Sequence, residues 1–226
     1  MKLNDTQIQQ LYRFTRAHFV EHFDIQTELV DHLANDIEQC WESHPETSFE
    51  SAKNAAFKKF GVFGFMDVVE ARTKSMSKKY QGIIGRIFLE FFVIPRIALT
   101  GLLYTLLYLS LKAAPETTLL TIFLGGFAFL LYHFIKIRKT AKERFRKTQK
   151  KWLLEDMIFG GQEVILLLNL IIQLLITNPK VSTPLWLFLY AFSLTSFLIL
   201  TYILAVVLPA KADTLLRTQY PEYDLA

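Results

Sequence analysis

"LLTIFLGGFAFLLYHFI" occupies Leu119–Ile135, and "KIRKTAKERFRKTQKK" follows at once from Lys136 to Lys151. A bilayer core about 30 Å thick takes roughly 20 helical residues at about 1.5 Å each. The first string approaches that length without Lys, Arg, Asp or Glu, whereas the second carries nine Lys and Arg. An apolar rod that runs straight into a cationic segment predicts a membrane span whose basic end stays in the cytoplasm, because Lys and Arg near span ends resist translocation.

Outward from this pair, three further apolar runs predict spans at Phe91–Leu111, Met157–Ile176 and Leu185–Leu208. Arg72, Lys74, Lys78, Lys79 and Arg86 precede the first span, and Lys211 and Arg217 follow the last. With the basic loop they make sixteen cations on one side, against only Lys112 and Lys180 on the other. That asymmetry places both termini and the loop in the cytoplasm, with outer turns at "KAAPET" and "TNPKVSTP".

Residues 1–80 are polar and charged like a soluble domain, so the 226-residue chain divides into a cytoplasmic domain 1–80, a transmembrane domain 81–212 with its basic loop 136–151, and a tail 213–226. The expected fold is all-α: a small N-terminal helical bundle followed by a four-helix transmembrane bundle. The polar opening "MKLNDTQIQQLYR" predicts no cleaved secretory signal. Cys40 is the only cysteine, which excludes an intrachain disulfide and a cysteine-rich zinc cage and fits a reducing compartment.

The formal charge of +4 hides a partition. From Ala17 to Ala52 there is no Lys or Arg, but nine acids and four of the five histidines. Arg138, Lys139, Lys142, Arg144, Arg146, Lys147, Lys150 and Lys151 are the candidate contacts to anionic lipid headgroups, at about 1 kcal/mol per basic residue. The alternative is that the loop docks on the acidic flank. Nucleic acid is not an expected partner, because a run held between two spans has little freedom to reach a groove.

Helical periodicity accounts for most of the first 80 residues. Asp5 is an expected N-cap, and Ile8, Leu11, Tyr12, Phe19 and Phe23 follow on the apolar side; Ile25, Leu29, Leu33, Ile37 and Trp41 share one face of a second helix. Capping-box spacing at Thr47–Glu50 opens a third helix carrying Phe49, Ala52, Ala56 and Phe60, with Gly61 as its stop. A fourth starts near Phe63. In "ELVDHLANDIEQ", Glu28–Gln39, Leu29, Leu33 and Ile37 point inward and leave Glu28, His32, Asp36 and Gln39 on an adjacent polar stripe. Carboxylates at i−4 and i+4 stabilise a protonated His32, and His18 and His22 repeat the i,i+4 spacing. A solvated helix flank is commoner than a metal site with such spacing, and no metal is expected. Glu28, Asp31, His32 and Asp36 are candidate partner-binding residues.

The same "E-L-x-D-H-L" helix, with the Ser-Phe-Glu-x-Ala start at Ser48–Ala52 and the terminal Phe60–Gly61, resembles the HAAS-type signalling domain and the related prefix domain of some permeases. The likeness covers roughly residues 5–75. Where the family typically follows Gly closely with Pro, this chain reads "GVFGF" at Gly61–Phe65. The resemblance implies a regulatory or adaptor domain at a bacterial inner (cytoplasmic) membrane, with a transcription regulator or transporter subunit as partner. It implies no catalytic residue.

Ionisable groups inside spans are functional candidates. Arg96 and Glu163 enter spans one and three to similar depth, where they either pair or reach the interface separately. Gln162, Asn169 and Gln173 share one face of span three, suited to interhelical amide bonds or, less simply, a polar conduit. "GIIGRIFLEFFVIP" at Gly82–Pro95 is expected along the interface before the chain turns inward. No HExxH, G-x-S-x-G or Gly-rich phosphate loop is present, so neither enzyme chemistry nor a cofactor is expected. The leading expectation is a membrane regulatory or adaptor protein. The alternative is a transporter or channel component built on Arg96, Glu163, Asn169 and Gln173, which would need a homo-oligomer to enclose a path.

Overall fold

A computed structural model describes residues 2–160 and 183–225, and every regular element among them is a helix. The all-α class holds. Two helices, Pro115–Thr148 and Pro184–Gln219, are long and apolar enough to cross a bilayer, and the pair Met66–Phe92 and Arg96–Ala113 makes a third if its 80° bend lies within one span. The described residues thus supply two or three candidate spans rather than four. Most of the expected span Met157–Ile176 lies outside them, at 161–182.

The chain separates into two units, one formed by the residues up to Lys78 together with Gln149–Leu154, the other by Lys79–Thr148 and Glu155–Leu225.

In the first unit, α1 (Asp5–Ala17) and α3 (Phe49–Lys58) pack on α2 (Phe23–Ser43), whose Ile25, Leu29, Leu33, Ile37 and Trp41 are buried. Asn4, not Asp5, caps α1: its side chain accepts from the Gln7 N–H, and Gln7 returns a bond to the Asn4 backbone. Ser48, not Thr47, caps α3, while the Thr47 carbonyl accepts from Trp41 Nε1 at 2.8 Å. Buried Gln26 ties down the α1–α2 link by donating to the Val20 carbonyl at 2.7 Å. Gly61 (φ 77°) and Gly64 (φ 57°) turn the chain from α3 towards α4 (Met66–Leu89), and a Cβ at Gly64 would meet the Phe57 ring at 3.1 Å.

The expectation that Phe19 points inward is overturned. Helix α1 ends in a Schellman motif, with the Val20 N–H bonded to the Thr15 carbonyl and the Phe19 N–H to the Arg16 carbonyl. This puts Phe19 at the left-handed C′ position, φ 64°, with its ring in solvent. Periodicity places a residue on a face only while the helix lasts, and α1 ends two residues too early.

In the second unit, α4 ends in a 3-10 turn at Glu90–Phe92, Val93 is extended, and α5 (Arg96–Ala113) begins after Pro95. The helix expected from Phe91 therefore starts at Arg96, because proline disfavours helical geometry in the residue before it. Only Ala114 separates α5 from α6 (Pro115–Thr148). At about 51 Å, α6 outreaches the hydrocarbon core and carries most of the expected basic loop as helix. Helix α7 (Leu153–Gly160) follows, and after the undescribed stretch α8 (Pro184–Tyr202), a π-turn at Ile203–Val207, α9 (Leu208–Gln219) and a 3-10 turn at Pro221–Leu225. The expected tail at 213–226 is thus helical as far as Gln219.

Helix α5 packs along α8, where Leu111, Leu187, Ala191 and Leu194 form one cluster; Ile87, Ile199, Ile203 and Leu208 form another. The outer faces are apolar too. Leu99, Leu102, Leu106, Leu120, Leu124, Phe127, Phe188 and Phe192 are exposed, as lipid-facing helices require.

Phe19→Gly is expected to stabilise the N-terminal domain by about 1 kcal/mol, since a Cβ in the left-handed region costs about that much and the exposed ring returns little. Thermal unfolding of the purified chain checks this; a lower midpoint in the variant would contradict it.

Candidate functional site

The outer face of α2 is narrower than its charge suggests. Glu28 is held by Arg72, and Asp36 accepts from Lys59 Nζ at 2.8 Å. Asp31 and His32 remain exposed, as do Asn35, Gln39 and Glu42 on the same side. His18 is half-buried, with Nδ1 bonded to the Phe14 carbonyl at 2.8 Å and the ring against Phe14, Phe57 and Phe65. His22 is the N-cap residue of α2 and makes no side-chain cap bond. Among the described residues no three His, Cys, Asp or Glu side chains are grouped to hold a metal.

The start of α2 has a second occupant. Gln149–Leu154 lies on it, and each helix start serves the other: the Phe23 N–H donates to the Lys151 carbonyl at 2.7 Å, and the Leu153 N–H, first in α7, donates to Asp24 Oδ1 at 3.1 Å. These satisfy N–H groups that no carbonyl within either helix can reach. Trp152 is fully buried, its ring 5.2 Å from that of Phe23. Lys150 Nζ stands 4.3 Å over the Phe23 ring, and Lys151 Nζ reaches Glu21 at 2.9 Å.

A third cluster sits where α6, α7, α9 and the C-terminal turn meet. Arg144 Nη1 donates to the Tyr223 hydroxyl at 3.0 Å and lies 3.5 Å from Glu155; Nη2 reaches Asp213 at 2.7 Å, and the guanidinium covers the Phe159 ring. Burial pushes the Glu155 carboxyl above its ordinary range, and Arg144 pulls it only part of the way back. Burial likewise raises the Tyr223 phenol, with the nearby Glu155 charge adding to the shift.

The eight expected headgroup residues therefore separate. Arg138, Lys139, Lys142, Arg146 and Lys147 are exposed along α6. Arg144 is committed to carboxylates, and Lys150 and Lys151 to the α2 start. Charge alone suggests docking of the basic loop on the acidic flank, but the anchor is Trp152, one residue beyond the loop's expected end at Lys151. A lone Trp directly after a cationic run was the available signal.

Arg96 pairs with Glu90 at 2.6 Å and lies 5.4 Å over Phe91, so its described partners are in the elbow before α5. Glu163, Asn169 and Gln173, with Gln162, lie outside the described residues. His133 was not singled out as a span residue; on α6 it hydrogen-bonds the Ala205 carbonyl. That carbonyl lies four residues before Pro209, which has no N–H to offer it.

Comparison with known proteins supplies no relative: no family model, no curated protein and no solved structure matches the chain.

The Arg144 cluster yields a signed expectation. A carboxyl whose folded pKa lies above its ordinary value binds its proton more tightly when folded, so its contribution to stability rises as pH falls through the interval between those two values. Glu155→Gln should therefore match or exceed the parent protein in thermal stability at neutral pH and lose that advantage in acid. Arg144→Ala should cost about 2 kcal/mol, less than a fully buried pair because Asp213 is largely exposed. Melting curves in detergent across pH check both; a Glu155→Gln difference independent of pH would contradict the first.

Proposed function

We propose that this chain is a four-span protein of a bacterial inner membrane, with both termini cytoplasmic, whose N-terminal helical domain is a regulatory or adaptor module. Its partner is a cytoplasmic protein such as a transcription regulator or a transporter subunit. The observation that carries this reading is the division of α2 into three uses. Its apolar face is consumed by the core, its first turn by Gln149–Leu154, and its outer face presents Asp31, His32, Asn35, Gln39 and Glu42 to solvent.

A rigid helix face with two carboxylates and three hydrogen-bonding side chains suits a basic or amide-rich surface on a partner. The resemblance of residues 5–75 to signalling and prefix domains supports the same role. Arg138, Lys139, Lys142, Arg146 and Lys147 supply the contact to anionic lipid, each cation worth about 1 kcal/mol near such a surface. The helix face is built for recognition rather than catalysis, since it offers no nucleophile with an adjacent base.

A photo-cross-linking amino acid in place of His32, in living cells, tests the reading. A discrete heterologous adduct is expected, lost when Asp31→Lys is added. An absence of adduct, or one indifferent to Asp31→Lys, would contradict it.

A further inference from the structure

We propose that the start of α2 is a recognition site for a lysine-rich protein segment carrying a tryptophan, and that Gln149–Leu154 occupies it in cis as a displaceable, autoinhibitory strap. The strap is held as a peptide ligand is held. Its residues Gln149–Trp152 have no regular structure, and it meets Glu21, Phe23 and Asp24 within four positions of the chain. Backbone fixes the register: the Lys151 carbonyl accepts from the Phe23 N–H, and the Leu153 N–H donates to the Asp24 carboxylate. Main-chain bonds of this kind give a bound segment affinity without regard to its side chains.

Side chains supply the selection. Trp152 is fully buried with its ring edge-on to Phe23, and a large aromatic anchor of this type carries most of the energy in peptide recognition. Lys150 Nζ lies over the same Phe23 ring, and Lys151 Nζ pairs with Glu21. The surface around the site favours cations, since no Lys or Arg occurs from Ala17 to Ala52. A ligand that fits is therefore a segment with lysines directly before a tryptophan.

The occupant is exchangeable because its ion pair lies at the rim: the Lys151 and Glu21 side chains are 39% and 70% exposed. The buried row of α2 continues beyond the site through Leu29, Leu33, Ile37 and Trp41 against α1 and α3, so the domain keeps that core when the strap leaves. The strap is joined directly to α6 at Thr148. Such a link holds the site at an effective concentration of about millimolar, which excludes a weaker free segment until the strap is withdrawn. The connection between α6 and α7 thereby governs whether the domain binds a partner through this site. The proposal does not rest on the outer face at Asp31 and His32, which is a separate surface of α2.

The test uses the full chain in neutral detergent and a fluorescent peptide copying Lys147–Leu154, followed by anisotropy. Trp152→Ser should bind the peptide roughly tenfold or more tightly than the parent chain, whose own strap competes. Lys151→Glu keeps the buried tryptophan and repels Glu21, so it serves as a second opened variant and should move in the same direction. In Trp152→Ser, adding Glu21→Lys should weaken binding, and a peptide with glutamate at the position of Lys151 should recover it, a charge exchange that loss of folding does not reproduce. An opened variant that melts as cooperatively as the parent yet binds the peptide no better would overturn the proposal, as would failure of the charge exchange. Association of Trp152→Ser with the parent chain in place of peptide binding would also overturn it, by assigning the strap to exchange between copies.

Discussion

Hydrocarbon offers no hydrogen bonds, so every backbone N–H and C=O that enters it must find a partner within the protein. The second unit is organised by that constraint. Its long helices satisfy their own ladders, and the threonines along them, Thr105, Thr118, Thr121 and Thr195, return their hydroxyls to carbonyls one turn earlier. The constraint bites hardest where proline interrupts a ladder. At the elbow before α5, the Thr100 hydroxyl donates to the Phe91 carbonyl at 2.8 Å. At the π-turn, the Leu208 N–H reaches back to Ile203, and His133 serves the Ala205 carbonyl that Pro209 leaves. Two breaks are each closed by a polar side chain, which explains a histidine and a buried threonine in segments otherwise almost wholly apolar.

Charge does the complementary work at the basic end of α6. A run that reads as uniformly basic is sorted by the helical turn of α6 and by the chain's exit from it. One set of side chains stays exposed, Arg144 turns to Glu155, Asp213 and Tyr223, and Lys150 and Lys151 leave the helix for the acidic flank. A partly buried cation between two carboxylates contributes register more than net stability, since desolvation offsets much of the attraction. Glu155 shows that balance, because its burial outweighs its pairing.

What was legible in the sequence follows from the range of the interactions. Leu29, Leu33 and Ile37 announce their buried face because the 3.6-residue period is local, and the apolar runs announce candidate spans because hydrophobic length is local. Choices between neighbours, Asn4 over Asp5 or Ser48 over Thr47, depend on backbone angles that residue type narrows but does not decide. Phe19 was misplaced because a helix stop without glycine carries no marker. The site was less legible than the fold. Asp31 and His32 were found on an exposed face, but the ties of Glu28 to Arg72 and of Asp36 to Lys59 join residues 44 and 23 positions apart, and the Asp24–Leu153 cap spans 129. Such pairings follow from assembly, not from spacing.

The most direct measurement of the central claim is the sidedness of α6. With Cys40→Ser as background, single cysteines at Glu116 and at Lys142 are exposed to a membrane-impermeant maleimide on intact cells. If α6 crosses the bilayer with its basic end inside, Glu116→Cys is labelled at once and Lys142→Cys only after permeabilisation. Equal labelling of both in intact cells, or labelling of Lys142→Cys alone, would contradict the membrane topology from which the rest is built.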